Sequence, residues 1–356
     1  MSSRQPAMAP AMAQEISEQP DMLQDLVDSG FGQIRAVARR LVELRPRFVL
    51  LAARGTSDHA ALYAKYLLEI RRGLPCGLAS PSSLTAYGAR PDLADVLLIA
   101  VSQSGGSPDL IQSLEVAKAC GATTLAVTNA PNSPLATAAD LQIDVRAGLE
   151  RAVAATKSYT AELMSLYLLV EAWSRAEASD QELLAPVDGV ISAAAELVGR
   201  RGEIAQVADR FRFATQFVLT GRGYDYPTAR EAALKLMETS YVAAHAFSGA
   251  DLMHGPFAQV DRDHPVVAVA PGGVGGHAMR PVLERLEERG ADVLLLGDPA
   301  LLPGASAQFT LPASLSDELH PIVDIIPLQW LSLEVSTARG LDPDSPRGLS
   351  KVTKTW

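Results

Sequence analysis

Apolar positions along this chain follow two alternating spacings. Short unbroken runs at residues 48–53, 96–101, 123–128, 217–220, 266–270 and 293–296 read as strands. A strand covered on both faces has no polar side to show, so such runs predict buried parallel strands. Residues 75–79 read as a further short strand, and 141–145 as a fourth or edge strand. Between the runs, apolar residues recur three and four apart, as a helix with one buried face requires. Residues 59–70, 109–120, 156–173, 226–242, 279–289 and 322–338 read as helices of this kind. Pro227 stands near the start of its helix, whereas Pro327 must kink its helix or stand near the true start. The first helical stretch, 21–44, carries Leu23, Leu26, Val27, Ile34, Val37, Leu41 and Leu44. Gly30 and Gly32 break or kink it, and Arg45-Pro46 ends it. Strand alternating with helix predicts an α/β fold with parallel sheets flanked by helices.

The pattern runs twice. Val49 and Val218, Val101 and Ala270, and Gly121-Ala122 and Gly290-Ala291 are each 169 residues apart, and Arg54-Gly55 precedes Arg222-Gly223 by 168. A repeat this long is a domain duplication, and it predicts two similar doubly wound domains. The expected organisation is a flexible tail over 1–20, a first domain over 21–175 that includes an N-terminal helix, a helical connector over 176–210, a second domain over 211–340 and a C-terminal tail over 341–356. In such folds ligands lie beyond the carboxyl ends of the strands. There the first copy presents hydroxyls: Thr56, Ser57, Ser102, Ser104 and Ser107. The second has Tyr224, Pro271 and glycines. The run 96–101, followed by Ser102-Gln103-Ser104-Gly105-Gly106-Ser107 and then a helix, places backbone donors and hydroxyls at a helix start. That suits an anion. It also suits an N-capped turn that holds nothing.

Composition narrows the classes. The chain has 356 residues, 48% of them apolar, enough for a core in each of two domains. A net charge of −10 argues against a general nucleic-acid or membrane-surface binder, although a local cluster of donors can still hold a small anion. Cys76 and Cys120 are too few for a disulfide framework and have no metal spacing. They read as free thiols in a reducing, cytoplasmic compartment. No apolar run approaches a membrane span, and the first twenty residues lack the pattern of a signal peptide. The first strand is not followed by Gly-x-Gly-x-x-Gly, and there is no Gly-Lys-Ser/Thr loop, so no nucleotide cofactor is expected. The histidines show no metal spacing, and no metal site is expected.

Three features could carry chemistry. Glu231, Lys235 and Glu238 stand at i, i+4 and i+7 and share one helix face near the ligand edge. They form either a solvated salt-bridge stripe or a proton shuttle. His254 precedes Gly255-Pro256, so its imidazole belongs to a loop. The end of the chain, from Asp344 to Trp356, is either a frayed basic tail or a docked one. Docked, Lys351 could act as an amine nucleophile.

Taken in order, these pieces resemble the sugar isomerase (SIS) family of tandem phosphosugar-binding domains. More closely, they resemble the isomerase module of glutamine–fructose-6-phosphate aminotransferases and the related glucosamine-6-phosphate deaminases. The resemblance runs over residues 48–354. It rests on Arg54-Gly55-Thr56-Ser57, Ser102-Gln103-Ser104-Gly105 with Ser107, Val153-Ala154-Ala155-Thr156-Lys157, Tyr226-Pro227 through Glu238, Met253-His254-Gly255-Pro256 and Pro346-Arg347 through Lys351. It implies that Ser102, Gln103, Ser104 and Ser107 form a phosphate loop. It implies that Thr56 and Ser57 line the sugar site and that Val153 offers a backbone contact. Glu238 would be the base that moves a proton between C1 and C2, with Lys235 beside it. His254 would assist ring opening from the partner subunit of a homodimer, and Lys351 could form an imine with a keto sugar. Arg54 stands where the aminotransferases carry a cysteine, and Ala155 replaces a serine. No glutaminase domain precedes the module in this sequence, and the chain begins Met1-Ser2 without that domain's nucleophilic cysteine. The expected reaction is therefore conversion of glucosamine 6-phosphate to fructose 6-phosphate and ammonia, with no cofactor. Other readings are a different amino sugar phosphate, plain isomerisation, an aminotransferase-type isomerase module, or a regulator that binds phosphosugar without turnover. The presence of Glu238, His254 and Lys351 counts against the last.

Overall fold

The computed structural model describes residues 9–351, so residues 1–8 and 352–356 of the two expected tails lie outside the described residues. The first sheet comprises β1 (Phe48–Ala52), β2 (Cys76–Leu78), β3 (Val96–Ser102), β4 (Thr123–Thr128) and β5 (Leu141–Asp144), in the order β2-β1-β3-β4-β5. The second comprises β6 (Gln216–Gly221), β7 (Ala243–Ser248), β8 (Val266–Ala270), β9 (Val293–Gly297) and β10 (Ala307–Thr310), in the order β10-β9-β8-β6-β7. Every pairing is parallel. Read from the same edge, the two orders are one topology. The duplication extends to register: Val49 faces Leu97 across β1 and β3, and Val218 faces Val266 across β6 and β8. Both partners have advanced by 169 positions. The fold class is thus the α/β class with two doubly wound domains and parallel sheets flanked by helices.

The central strands are dry because each has helices on both faces. Leu97 to Val101 and Val266 to Ala270 are buried throughout. Two helices, Lys157–Ser174 and His320–Ala338, are buried almost all round and pack on each other between the two halves. Pro327 lies inside the second of these. A helix apolar on every side has to sit in the middle of a protein. The helices Val187–Gly199 and Arg201–Ala208 of the connector pack on His320–Ala338 and so join the second half's helical layer.

Within the expected loose tail over 1–20, the described part from residue 9 onward is not loose. Residues Ala11–Ser17 and Gln19–Asp25 are helical, with Met12 and Ile16 fully buried. The Ala11 and Met12 N–H groups donate to the Asp344 carboxylate at 2.5 and 2.9 Å, so a residue of the C-terminal tail caps the first helix. A π-helical turn at Leu26–Gly30 then leads into Phe31–Leu44. Gly30 packs closely at that turn, where a Cβ would stand 2.8 Å from Leu26 Cδ1 and displace that side chain. Gly32 lies within the helix and breaks nothing. Arg45, at φ 47°, closes the helix. Strands β7 and β10 carry no clear apolar run and were not predicted.

Candidate active site

The carboxyl ends of β1 and β3 open onto a cleft of about 380 Å³. After β1 the backbone turns at Gly55, φ 57°, directly into the helix Thr56–Leu67, which brings Thr56 and Ser57 to one wall. After β3, residues 102–107 form a tight loop. Ser102 Oγ accepts the Gly105 N–H at 3.1 Å, and Ser104 Oγ accepts the Gly106 N–H at 3.3 Å. Gly105 adopts φ 59°, and a Cβ there would lie 2.0 Å from Ser133 Oγ. Ser107 stands at the N-cap of Pro108–Ala119 without a side-chain cap bond to it and lines the cleft at the start of that helix. Ser102, Gln103, Ser104 and Ser107 all line the cleft.

Arg54 also lines it. Its guanidinium is held at 2.8 Å by Asp109, which is buried in the first turn of the Pro108–Ala119 helix. A positive group therefore stands on this wall of the cleft. Ala155 occupies the wall beside Val153 and leaves that surface without the hydroxyl a serine would supply.

The opposite wall comes from the second half of the chain. Glu238, on the helix Asp225–Ser240, points into the cleft and contacts Lys235 at 2.6 Å. Lys235 is fully buried and lies 3.2 Å from Glu231, which is also fully buried. Burial disfavours the charge on Lys235, but the two carboxylates outweigh it and hold the ammonium well above its ordinary pKa. Burial likewise works against the Glu231 carboxylate, and Lys235 and His59 outweigh it, keeping Glu231 below the usual range. Thr56 Oγ1 bridges the group, accepting from Lys235 at 3.0 Å and donating to Glu231 at 3.0 Å. These three helix residues are therefore a buried ion network and not a solvated stripe.

The tail closes one side of the cleft. Leu349, Ser350 and Lys351 line it, and Lys351 Nζ donates to Glu150 at 2.7 Å and to the Ala152 carbonyl at 2.7 Å. Glu150 is buried. Burial pushes its carboxyl up, but Lys351 and the N–H groups of Ser158 and Thr156 outweigh this and hold it below its ordinary value. Glu15 of the first helix accepts the N–H groups of Arg151 and Ala152 from the other side. Glu162 lies under Ser57, whose hydroxyl donates to it at 2.8 Å, and burial raises its carboxyl well above the usual range.

Thr56, Ser57, Ser102, Gln103, Ser104, Ser107, Val153, Glu238 and Lys351 thus share one cleft, with Lys235 directly behind Glu238. His254 does not join them. It follows the helix Gly249–Met253, is exposed and lies off this cleft. Sequence reasoning missed Glu15, His59, Glu150 and Glu162. For Glu150 a signal existed: an acid a few residues before a helix start is placed to take its free N–H groups. Among the described residues, no group of three or more His, Cys, Asp or Glu is arranged to hold a metal, and no helix is long and apolar enough to cross a membrane.

Two doubly wound halves with one hydroxyl-rich cleft between a serine loop and a buried lysine–glutamate network define a tandem α/β protein of a recognisable class. The SIS domain family matches residues 45–172 and 211–339, and the chain belongs to that family. It is 38% identical over 356 residues to the glutamine–fructose-6-phosphate aminotransferase (isomerizing) of Gloeobacter violaceus, covering 96% of this chain and 58% of that protein. It is 33% identical to the enzyme of the same name from Pyrococcus horikoshii, covering 96% and 57%. The chain thus spans a little over half the length of these relatives. Among solved structures, the C-terminal domain of glucosamine-fructose-6-phosphate aminotransferase from Francisella tularensis superimposes with a TM-score of 0.87 at 29% identity, covering 95% of this chain and 99% of that one. Glucosamine-6-phosphate deaminase from Thermotoga maritima shares the fold, with a TM-score of 0.73 at 21% identity, covering 97% and 100%.

Proposed function

We propose that the cleft binds a hexose 6-phosphate and moves a proton between C1 and C2, with the net reaction glucosamine 6-phosphate plus water to fructose 6-phosphate plus ammonia. The observation that carries this reading is the Glu238 carboxylate, placed in the same cleft as the serine loop and backed by a buried cation. The loop's hydroxyls and the Pro108–Ala119 helix end anchor the phosphate, and that remote anchoring sets the sugar carbons beside Glu238. After ring opening, Glu238 takes the C2 proton and C1–C2 becomes a double bond bearing oxygen and nitrogen. The proton returns to C1 and, as a proton passes through solvent from the nitrogen to the C1 oxygen, an imine is left at C2. Water adds to that carbon and ammonia leaves, with no net oxidation. Glu238 carries the proton between the two transfers, and the Lys235 ammonium at 2.6 Å faces the carboxylate that is left when the proton is delivered. His254 serves ring opening from a second copy of the chain, since it lies off the cleft of its own copy. Lys351, held by Glu150, closes the open side.

The names of the curated relatives favour a second reading, in which the same steps run towards amination of fructose 6-phosphate. Two assays separate them: ammonia release from a panel of amino sugar 6-phosphates, and glucosamine 6-phosphate formation from fructose 6-phosphate with ammonium. The first reading expects ammonia from glucosamine 6-phosphate, and no ammonia from any member of the panel overturns it. Glu238→Gln should abolish turnover while phosphosugar binding persists; retained turnover removes Glu238 from the mechanism.

A further inference from the structure

The Glu238–Lys235–Glu231 network does not end in the protein interior. His59, on the Thr56–Leu67 helix, places Nδ1 2.7 Å from Glu231 Oε2, and its side chain is 9% exposed. It lines a separate groove of about 370 Å³, beside Asp58, Arg230 and His245. An unbroken line of polar contacts therefore runs from the cleft through Glu238, Lys235 and Glu231 to His59 and out to that groove. Lys235 stands between two carboxylates, 2.6 Å from Glu238 and 3.2 Å from Glu231. How much of its charge serves Glu238 depends on how well Glu231 is satisfied elsewhere. Thr56 gives Glu231 one hydrogen bond, and His59 gives the other.

We infer that His59 is a positioning residue for the proton transfer: by binding Glu231 from the groove side, it leaves Lys235 to Glu238 and so sets the pH at which Glu238 becomes a usable base. This rests on the role proposed above for Glu238. A charged imidazole neutralises Glu231, and a neutral one supplies only a hydrogen bond, so the groove's proton reaches the cleft through electrostatics and not by travelling along the line. Among the described residues, further charged and titratable groups lie near this network. Asp58 and Arg230 lie 3.9 Å apart on the groove rim, with His245 opposite. From the helix Lys157–Ser174, Tyr159 and the raised carboxyl of Glu162 face Glu231. The residues of β1 and β3 packed against the Thr56–Leu67 helix are apolar up to Ser102.

Two substitutions with opposite consequences test this. His59→Asn keeps a donor near the Nδ1 position but cannot take up a charge, so Lys235 is shared more evenly and the acid limb of the kcat/KM profile should move up. Glu231→Gln removes the competitor, and the acid limb should move down. Each shift should be about half a pH unit or more, smaller than the roughly 1–3 units that a charge in direct contact produces. A packing defect would lower kcat without splitting the two variants in sign. Midpoints that stay in place, or move the same way, overturn the inference, and an unchanged midpoint in folded His59→Asn is enough alone. The titration of the Glu238 carboxyl, followed by 13C NMR with Glu238→Gln assigning the resonance, carries the same prediction without turnover. If the wild-type chain turns over no sugar phosphate, the functional reading fails, and the NMR result still decides the role of His59.

Discussion

Gly105 is the position where the proposed phosphate loop can be perturbed without removing a polar group. Its φ of 59° is left-handed, which costs an L-residue roughly 1–2 kcal/mol. Its missing side chain also leaves room for a neighbour: a Cβ would lie 2.0 Å from Ser133 Oγ and 2.5 Å from Ser133 Cβ. Ser133 cannot simply swing away, since its own Cβ is in the collision and its Oγ caps the Pro134–Ala138 helix by accepting the Ala136 N–H at 3.3 Å. Overpacking of this kind costs about 1–3 kcal/mol. Gly105 is further tied to the same segment, because its carbonyl accepts the Leu135 N–H at 3.1 Å. In Gly105→Ala the loop relieves the collision by leaving the geometry that faces the phosphate, so the cost appears in affinity. With about 2 kcal/mol surviving, binding weakens roughly 30-fold, since each 1.4 kcal/mol is about tenfold. Calorimetric titration with fructose 6-phosphate is the assay. Ser133→Gly alone should leave the affinity near wild type, as glycine replaces a capping serine at a cost of about a few tenths of a kcal/mol. The double variant should recover the part due to the collision and keep the part due to φ. Binding by Gly105→Ala within about twofold of wild type would refute the reasoning, because neither the strain nor the collision would then govern the loop.

Three further outcomes are expected. If His254 serves the partner's cleft, inactive His254→Asn and inactive Glu238→Gln chains should regain up to about a quarter of wild-type activity when mixed and re-associated, because half the dimers are then mixed and each holds one intact site. No recovery places His254 outside the mechanism or inside its own chain's site. His320 should make stability fall on the alkaline side. Burial works against its charge, but Asp324 at 3.2 Å outweighs it and lifts the imidazole from 6.5 to about 9, so the contribution is full below 6.5 and is lost as pH rises through about 9. Thermal scans between those values should show a steeper decline for the wild type than for His320→Gln. Removing the Asp344 cap with Asp344→Ala should cost about 1 kcal/mol locally and speed amide exchange at Ala11 and Met12 about fivefold.

What could be read from the residues alone follows from how local each determinant is. The buried strands announced themselves, because a strand with helices on both faces must be apolar without interruption, as at Leu97 to Val101. Edge strands carry no such mark: β7 exposes Ala243 and His245, and β10 exposes Gln308 and Thr310, so their pairing depends on neighbours. Lys235 and Glu238 were legible as one face because helical spacing is local. That this face is buried is set by its packing on the Thr56–Leu67 helix, whose Thr56 lies 179 positions from Lys235. The tail was legible only as an alternative, docked or frayed, since the Lys351–Glu150 contact spans 201 positions. The N-terminal helix misled for the same reason. Residues 9–17 contain little that would hold a helix alone, and what holds it is Asp344 at the other end of the chain, together with the burial of Met12 and Ile16.

The duplication then acquires a physical meaning that neither copy has alone. In the second copy the loop after β8 corresponds to residues 102–107, and it too presents N–H groups at the carboxyl edge of a sheet. Those groups are taken: Val274 and Gly275 donate to Asp317 Oδ2 at 2.7 and 3.1 Å. Gly273 makes the space for that carboxylate, since a Cβ there would lie 1.7 Å from Asp317 Oδ1. A negative side chain thus occupies the second cradle and would repel a second phosphate, whereas in the first copy the loop's own hydroxyls take the N–H groups and leave the cleft open to an anion. The second copy turns instead to the other half of the task. Its first helix crosses onto the first copy's first helix and delivers Glu238 and Lys235 to the cleft, with Thr56 accepting from Lys235 across the boundary. In the reaction proposed above, one copy supplies the anchor and the other the acid–base group. Separating the halves should therefore remove activity even where each half keeps its fold, because no single copy contains both.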